Sequence, residues 1–149
     1  MTKTATKKLE KQGGWLFKEE PSCYNYADLE KDGWTMWAGV KNALARQYLR
    51  KVHMGDRVLY YHTGKERAIV GEMRVAADPV SDPEGDDPKA VVVKVEAVRR
   101  WNPPVTLAQI KEDPLFETWE LLRISRLSVM PVSAEQWNRL EEICRESAG

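Results

Sequence analysis

The chain has 149 residues, with 23 Lys and Arg balanced by 23 Asp and Glu, so it carries no net charge at neutral pH. That length fits one domain whose core needs no staples, and 31% charged and 42% hydrophobic residues are ordinary for a soluble globular protein. No stretch approaches the ~20 apolar residues of a membrane span, neutrality argues against a general coat for DNA, and two cysteines, Cys23 and Cys144, make neither a disulfide framework nor a metal-ligand spacing. A reducing cytoplasm is the expected setting.

Met1 to Gln12 is polar and lysine-bearing with no apolar run. This predicts a flexible tail over residues 1–13, not a signal peptide, and a single domain over 14–146. Trp15-Leu16-Phe17, after Gly13-Gly14, reads as a strand over 15–18 that Pro21 ends. Tyr24 to Leu29 reads as one turn of helix and Asp32-Gly33 as a turn. From Trp37 the chain passes Gly39 into a helix predicted over 39–51. Val40, Leu44, Tyr48 and Val52 form its apolar stripe, and Asn42, Arg46 and Arg50 lie opposite. Met54-Gly55-Asp56 turns into a strand over 57–62. A further strand covers 68–77, where Gly71 marks a bulge or a close backbone approach.

Residues 78–88 are rich in Pro, Asp and Gly and read as a loop. The β-branched run from Val91 predicts a strand over 90–101, which Asn102-Pro103-Pro104 breaks. Thr106 caps a helix over 107–112, and Asp113-Pro114 caps another running to about Leu122. Ser128 to Val132 reads as a strand. Ser133 and Gln136 form a capping box for a last helix with Trp137, Leu140, Ile143 and Cys144 on its apolar face. Short strands with interspersed helices and no βαβ rhythm predict an α+β fold, a small mixed β-barrel of about five or six strands.

Charge is segregated along the chain. Residues 38–67 hold Lys41, Arg46, Arg50, Lys51, Arg57, Lys65 and Arg67 against Asp56 and Glu66, whereas 78–88 hold five acids and no base. Such a basic region suits contact with a few phosphates. Helix-start amides, arginines and a nearby tryptophan suit a flat anionic ligand such as a nucleotide. An amphipathic helix with two arginines is, however, more often an ordinary solvated one. No Gly-x-Ser-x-Gly or His-Glu-x-x-His motif occurs, and His53 and His62 have no ligand-spaced partners. No catalytic residue, metal or cofactor is therefore expected, and His62 reads as a hydrogen-bonding or buried histidine before a base.

Seven ordered segments then resemble the EVE domain. They are Trp15 to Pro21, Trp37 to Asn42, Ala45-Arg46, Met54-Gly55-Asp56, Tyr60 to Thr63, Ile69-Val70-Gly71, and Ser125 to Val129 with Pro131-Val132 and Trp137. The resemblance implies a PUA-like β-barrel, related to the YTH readers of methylated RNA. It also implies a non-catalytic reader of a modified nucleobase, modified cytosine in DNA first and modified RNA second. Glu19, Lys41 and Gln47 depart from the family's Ser, Arg and Asn. Glu19 turns a donor into an acceptor, and Lys41 keeps charge but loses the planar fork.

A reader encloses a base taken out of the stack, with an aromatic wall worth ~1–3 kcal/mol. Trp37 is the expected wall, with Trp15 or Trp34 beside it, while Trp101, Trp119 and Trp137 belong to the core or rim. Lys18, Lys41, Asn42 and Arg46 would contact phosphate or base edge. Tyr61 and His62 would open into the pocket from a strand end, and Ser125, Arg126 and Ser128 would donate to it. The expected partner is nucleic acid carrying a modified base, met by a monomer away from any membrane. A small nuclease or nucleotide-processing enzyme, or a protein-interaction module, are the alternatives. The absence of an acid cluster for Mg²⁺ near the basic helix weighs against the enzyme.

Overall fold

The computed structural model describes residues 12–82 and 85–148. Through residue 11 the expected tail lies outside the described residues, and Gln12 and Gly13 belong to the first strand. In chain order the elements are β1 (Gln12–Glu19), α1 (Tyr26–Asp32), β2 (Trp34–Trp37), α2 (Ala43–Leu49), β3 (Arg57–His62), β4 (Ala68–Val75), β5 (Val80–Ser81) and β6 (Val91–Thr106). There follow α3 (Leu107–Lys111), a 3-10 turn (Pro114–Phe116), α4 (Glu120–Arg123), β7 (Val129–Ser133) and α5 (Ala134–Ala148).

The strands run in the order β2-β6-β4-β3-β1-β7, with β5 paired to β6. β1 and β3 are parallel, and the other pairs are antiparallel. The α+β class is as expected, but the barrel is not closed: among the described residues no pairing joins β2 to β7. Instead α2 packs against β7 at one end of the sheet and against β6, the strand next to the other end. No helix among the described residues is long and apolar enough to cross a membrane.

Several boundaries differ from expectation for local reasons. β2 is unforeseen; its four residues alternate between solvent and core. The helix expected over 39–51 is only α2. Gly39 has φ +78°, and the Asn42 side chain caps the helix by accepting from the Ala45 N–H at 2.9 Å. Its buried face is Ala45 and Leu49, one residue along from the expected stripe; Leu44 and Tyr48 are half-buried, and Val40 and Val52 are buried outside the helix. The strand expected to end at residue 101 continues through both prolines. From Arg100 to Val105 it spans the interval between Gly71 and Ile69 on β4, an irregularity where proline need not donate to the ladder. The helix expected from 113 to 122 divides into the 3-10 turn and α4. The 78–88 loop contains β5, and the strand after Ala68 stops at Val75.

The core lies on both faces of the sheet, as strands buried on both sides require. Trp101, Trp119 and Trp137 are all buried in it. Gly71 is a close approach, as expected: a Cβ there would stand 2.4 Å from a carbon of the Tyr26 ring. The Tyr26 hydroxyl crosses that glycine to donate to the Glu72 carbonyl at 2.7 Å. The Ser133–Gln136 capping box that starts α5 is also present.

Candidate nucleic-acid interface

Side chains alternate along a strand, so neighbours in sequence face opposite ways. In the parallel pair, Phe17 lies opposite Tyr60, Lys18 opposite Tyr61, and Glu19 opposite His62. The expected site residues therefore divide between two sides of the same strand ends.

On one side is a packed aromatic cluster. Trp37 is only 5% exposed. Its ring lies 5.4 Å from Phe17 and meets Tyr60 edge-on at 5.3 Å. Tyr60 in turn meets Tyr26 and His62 edge-on. The Tyr60 hydroxyl donates to the Tyr24 carbonyl, and burial pushes its phenol above the usual range. His62 Nε2 accepts the Tyr26 N–H at 3.1 Å, which assigns the ring proton to Nδ1, facing Glu66 Oε1 at 2.6 Å. Both ring nitrogens are thus committed, and His62 pins the start of α1 to β3. Glu19 ends β1 beside this cluster. Burial pushes its carboxyl above the ordinary carboxylate range, and among the described residues no cation pairs with it.

On the other side is an open cleft. Lys18 Nζ donates to the Ser125 carbonyl at 3.1 Å and stands 5.8 Å from the centre of the Tyr61 ring. The Lys18 N–H donates to the Ser128 carbonyl at 2.9 Å. Lys18, Tyr61 and the Ser125–Ser128 segment therefore converge, although the two serines offer carbonyls to Lys18 where hydroxyl donors are expected. Arg126 is exposed and has no ion pair among the described residues. Tyr61, Arg67, Leu107 and Lys111 complete a space of about 300 Å³. Burial lowers the Lys18 ammonium and pushes the Tyr61 phenol up to about 12.

The remaining expected residues lie apart from that cleft. Arg46 is not a free guanidinium: its Nε donates to the Val40 carbonyl and its terminal nitrogen to Asp87, each at 2.7 Å. Arg50 reaches the Lys89 carbonyl at 2.8 Å. The acidic loop thus lies on the basic stripe, which lacks the open cationic face expected of it. Lys41 and Asn42 stay exposed beside α2. Trp15 is buried, donates to Asp56 at 2.9 Å and packs on Tyr48, so it is part of the frame. Trp34 is 50% exposed with Lys94 Nζ 4.4 Å from its ring centre, but it faces away from Trp37 across β2. Of the three expected walls, the open one is not beside the buried ones.

Sequence reasoning misses Phe17 and Tyr60 on the first side, which alternation from Trp15 along β1 and from Val58 along β3 reveals, and it marks Glu19 only as a departure from the family. It also misses Arg67, Leu107 and Lys111, which long-range folding alone brings to Lys18. Among the described residues no cluster of His, Cys, Asp and Glu could hold a metal ion.

A family model described as the EVE domain matches residues 14–143. The chain belongs to this family. Human thymocyte nuclear protein 1 is 28% identical to this EVE domain over 172 residues, covering 92% of this chain and 75% of the human protein. A hypothetical protein from Leishmania major has a similar structure, with a TM-score of 0.86 and 30% identity over 94% of this chain and 99% of its own. The human THYN1 protein in complex with 5-methylcytosine containing DNA superimposes with a TM-score of 0.80 and 26% identity, covering 88% of this chain and 96% of that one.

Proposed function

We propose that this EVE domain is a non-catalytic reader of one modified nucleobase, a 5-methylcytosine-type base in DNA, taken out of the stack at the adjoining ends of β1 and β3. The likeness to the human protein in complex with 5-methylcytosine containing DNA carries this reading. The chemistry of the first side supports it. Trp37, Phe17 and Tyr60 pack as a closed aromatic cluster beside those strand ends, and Glu19 next to it supplies an acceptor without a cation to neutralise it. A carboxylate accepts from the exocyclic amine of cytosine and offers nothing to the keto oxygen of thymine. Lys41 and the Asn42 amide, both exposed on the adjoining loop, are within the same stretch of chain for base-edge or phosphate contact. The engagement of both His62 nitrogens supports a binding role over a hydrolytic one.

Titration of matched short strands with cytosine or 5-methylcytosine, as DNA and as RNA, tests the reading. The modified DNA strand binds about 10-fold or more tighter, since one methyl in a fitted pocket is worth ~1–3 kcal/mol. Equal binding of both DNA strands overturns it, and preference for modified RNA redirects it. Labelled DNA, RNA and nucleotides stay intact with and without Mg²⁺; cleavage abolished by His62→Ala favours the enzyme.

A further inference from the structure

The cleft on the second side has a chemistry that base reading does not use. Two adjoining spaces of about 300 Å³ each share Arg67, Leu107 and Lys111. Lys18 stands at one end and Lys65 at the other, so four cations line a continuous trough. None of the four has an ion pair among the described residues. Of the acids, Glu66 lines the trough and accepts from His62, and Glu20 stands against Thr63 and Gly64 at its edge. Tyr61 is 3% exposed and lines the trough, yet its hydroxyl has no hydrogen-bond partner among the described residues. That hydroxyl reaches solvent at the trough, so a ligand there can take the place of water as its acceptor.

The backbone is shaped to the same end. Arg67 has φ +43°, a left-handed conformation that a non-glycine residue holds only when its surroundings impose it. The Leu107 N–H, donating to the Arg67 carbonyl at 2.8 Å, fixes it there. Leu107, Leu121 and Leu122 form an apolar wall beside the cations. Such a wall suits the carbon face of a sugar, and it strengthens charge interactions by excluding water.

We propose that the Lys18–Tyr61–Arg67–Lys111 cleft is a phosphate site that grips the backbone of the bound strand next to the base being read. The nucleic-acid part rests on the proposed function, but the phosphate chemistry does not. A tetrahedral anion accepts from the Tyr61 hydroxyl and from several of the cations at once, and its sugar lies against the leucines. The cleft and the aromatic cluster lie on opposite faces of the same strand ends, so a bound strand reaches both by passing round those ends.

Two probes test this on the full chain: inorganic phosphate, followed through backbone amide signals, and short single strands with and without 5-methylcytosine, titrated over a range of salt. Phosphate shifts the amides of 63–67 and 107–111 in the wild type. Tyr61→Phe weakens it about 10-fold, the loss of one hydrogen bond to a charged group. Arg67→Gln with Lys111→Gln flattens the slope of log affinity against log salt by about 0.7 for each phosphate left without its cation. Both strands weaken alike, so the ratio between them is kept. Both replaced side chains are exposed and unbonded among the described residues, so an unchanged melting temperature excludes misfolding. An unchanged slope and unchanged phosphate binding overturn the proposal. So does a collapse of the ratio at constant slope, because the cleft then reads the base. A wild type that binds phosphate in the cleft and strands without preference upholds the phosphate site and defeats the base-reading function. Binding of phosphate with none of either strand makes the source a free phosphate compound and overturns the backbone role.

Discussion

β1 and β3 carry two unlike surfaces on alternate residues. Phe17 and Tyr60 belong to a cluster closed by Trp37 and Tyr26, where nearly every ring is covered and the His62 nitrogens are both engaged. One residue further along each strand, Lys18 and Tyr61 border open space beside cations that no carboxylate neutralises among the described residues. The lesson is that proximity in sequence and membership of one site are different things in a strand. On the closed side a substitution acts on stability first and on ligand second. On the open side the order reverses.

Trp37→Ala is the sharpest test of that contrast. It empties a large volume inside the cluster and costs ~3–5 kcal/mol in a urea titration, more than stacking on a base is worth. Trp37→Phe keeps most of the packing and separates the two effects. A Trp37→Ala variant as stable as the wild type breaks the comparison, because the ring is then a ligand wall and not a pillar.

Glu19 gives a smaller effect, with opposite signs for stability and reading. Its carboxyl is raised by burial in the folded protein, so its stability contribution is present below the unfolded value and lost as pH rises through the folded one. The amine of cytosine needs the ionised form, so discrimination fades as pH falls through that same raised value. Acidification from neutrality thus firms the fold through this group while weakening the preference for cytosine-type bases. Glu19→Gln removes both dependences. Urea midpoints and strand titrations between pH 4 and 7 check this; a preference in Glu19→Gln that still falls with acid assigns the effect elsewhere.

The smallest effect is on the open side. Arg126 is exposed and unpaired among the described residues, so Arg126→Ala changes stability by less than about 0.5 kcal/mol. A larger loss in thermal melting means that this side also has a structural role.

Much of this arrangement is legible from local chemistry. β3 stands out because an apolar and aromatic run lies between Met54-Gly55-Asp56 and Thr63-Gly64-Lys65, and α5 because Ser133 and Gln136 cap it. β2 escapes because four residues between a turn and a helix hold too little periodicity. α2 is overextended because Val40 and Val52 sit at helical spacing, although Asn42 is a cap signal. The meeting of Lys18, Tyr61 and Ser125 follows from the order of the family segments. Their separation from Trp37 and His62 does not, until strand alternation is applied to Tyr61-His62. The Arg46–Asp87 pair and the approach of Lys111 depend on long-range folding, which neither composition nor spacing encodes.

The position of β1 has a consequence for how the molecule is made. Its two neighbours in the sheet are β3 and β7, drawn from residues 57–62 and 129–133. As the chain leaves the ribosome, Trp15, Leu16 and Phe17 emerge with neither edge partner yet synthesised. The domain cannot fold in pieces from its N-terminal side, because the first described strand is completed by the last. A chain stalled before β7 leaves β1 with β3 alone and its other edge open, the kind of surface on which nascent chains aggregate and chaperones act.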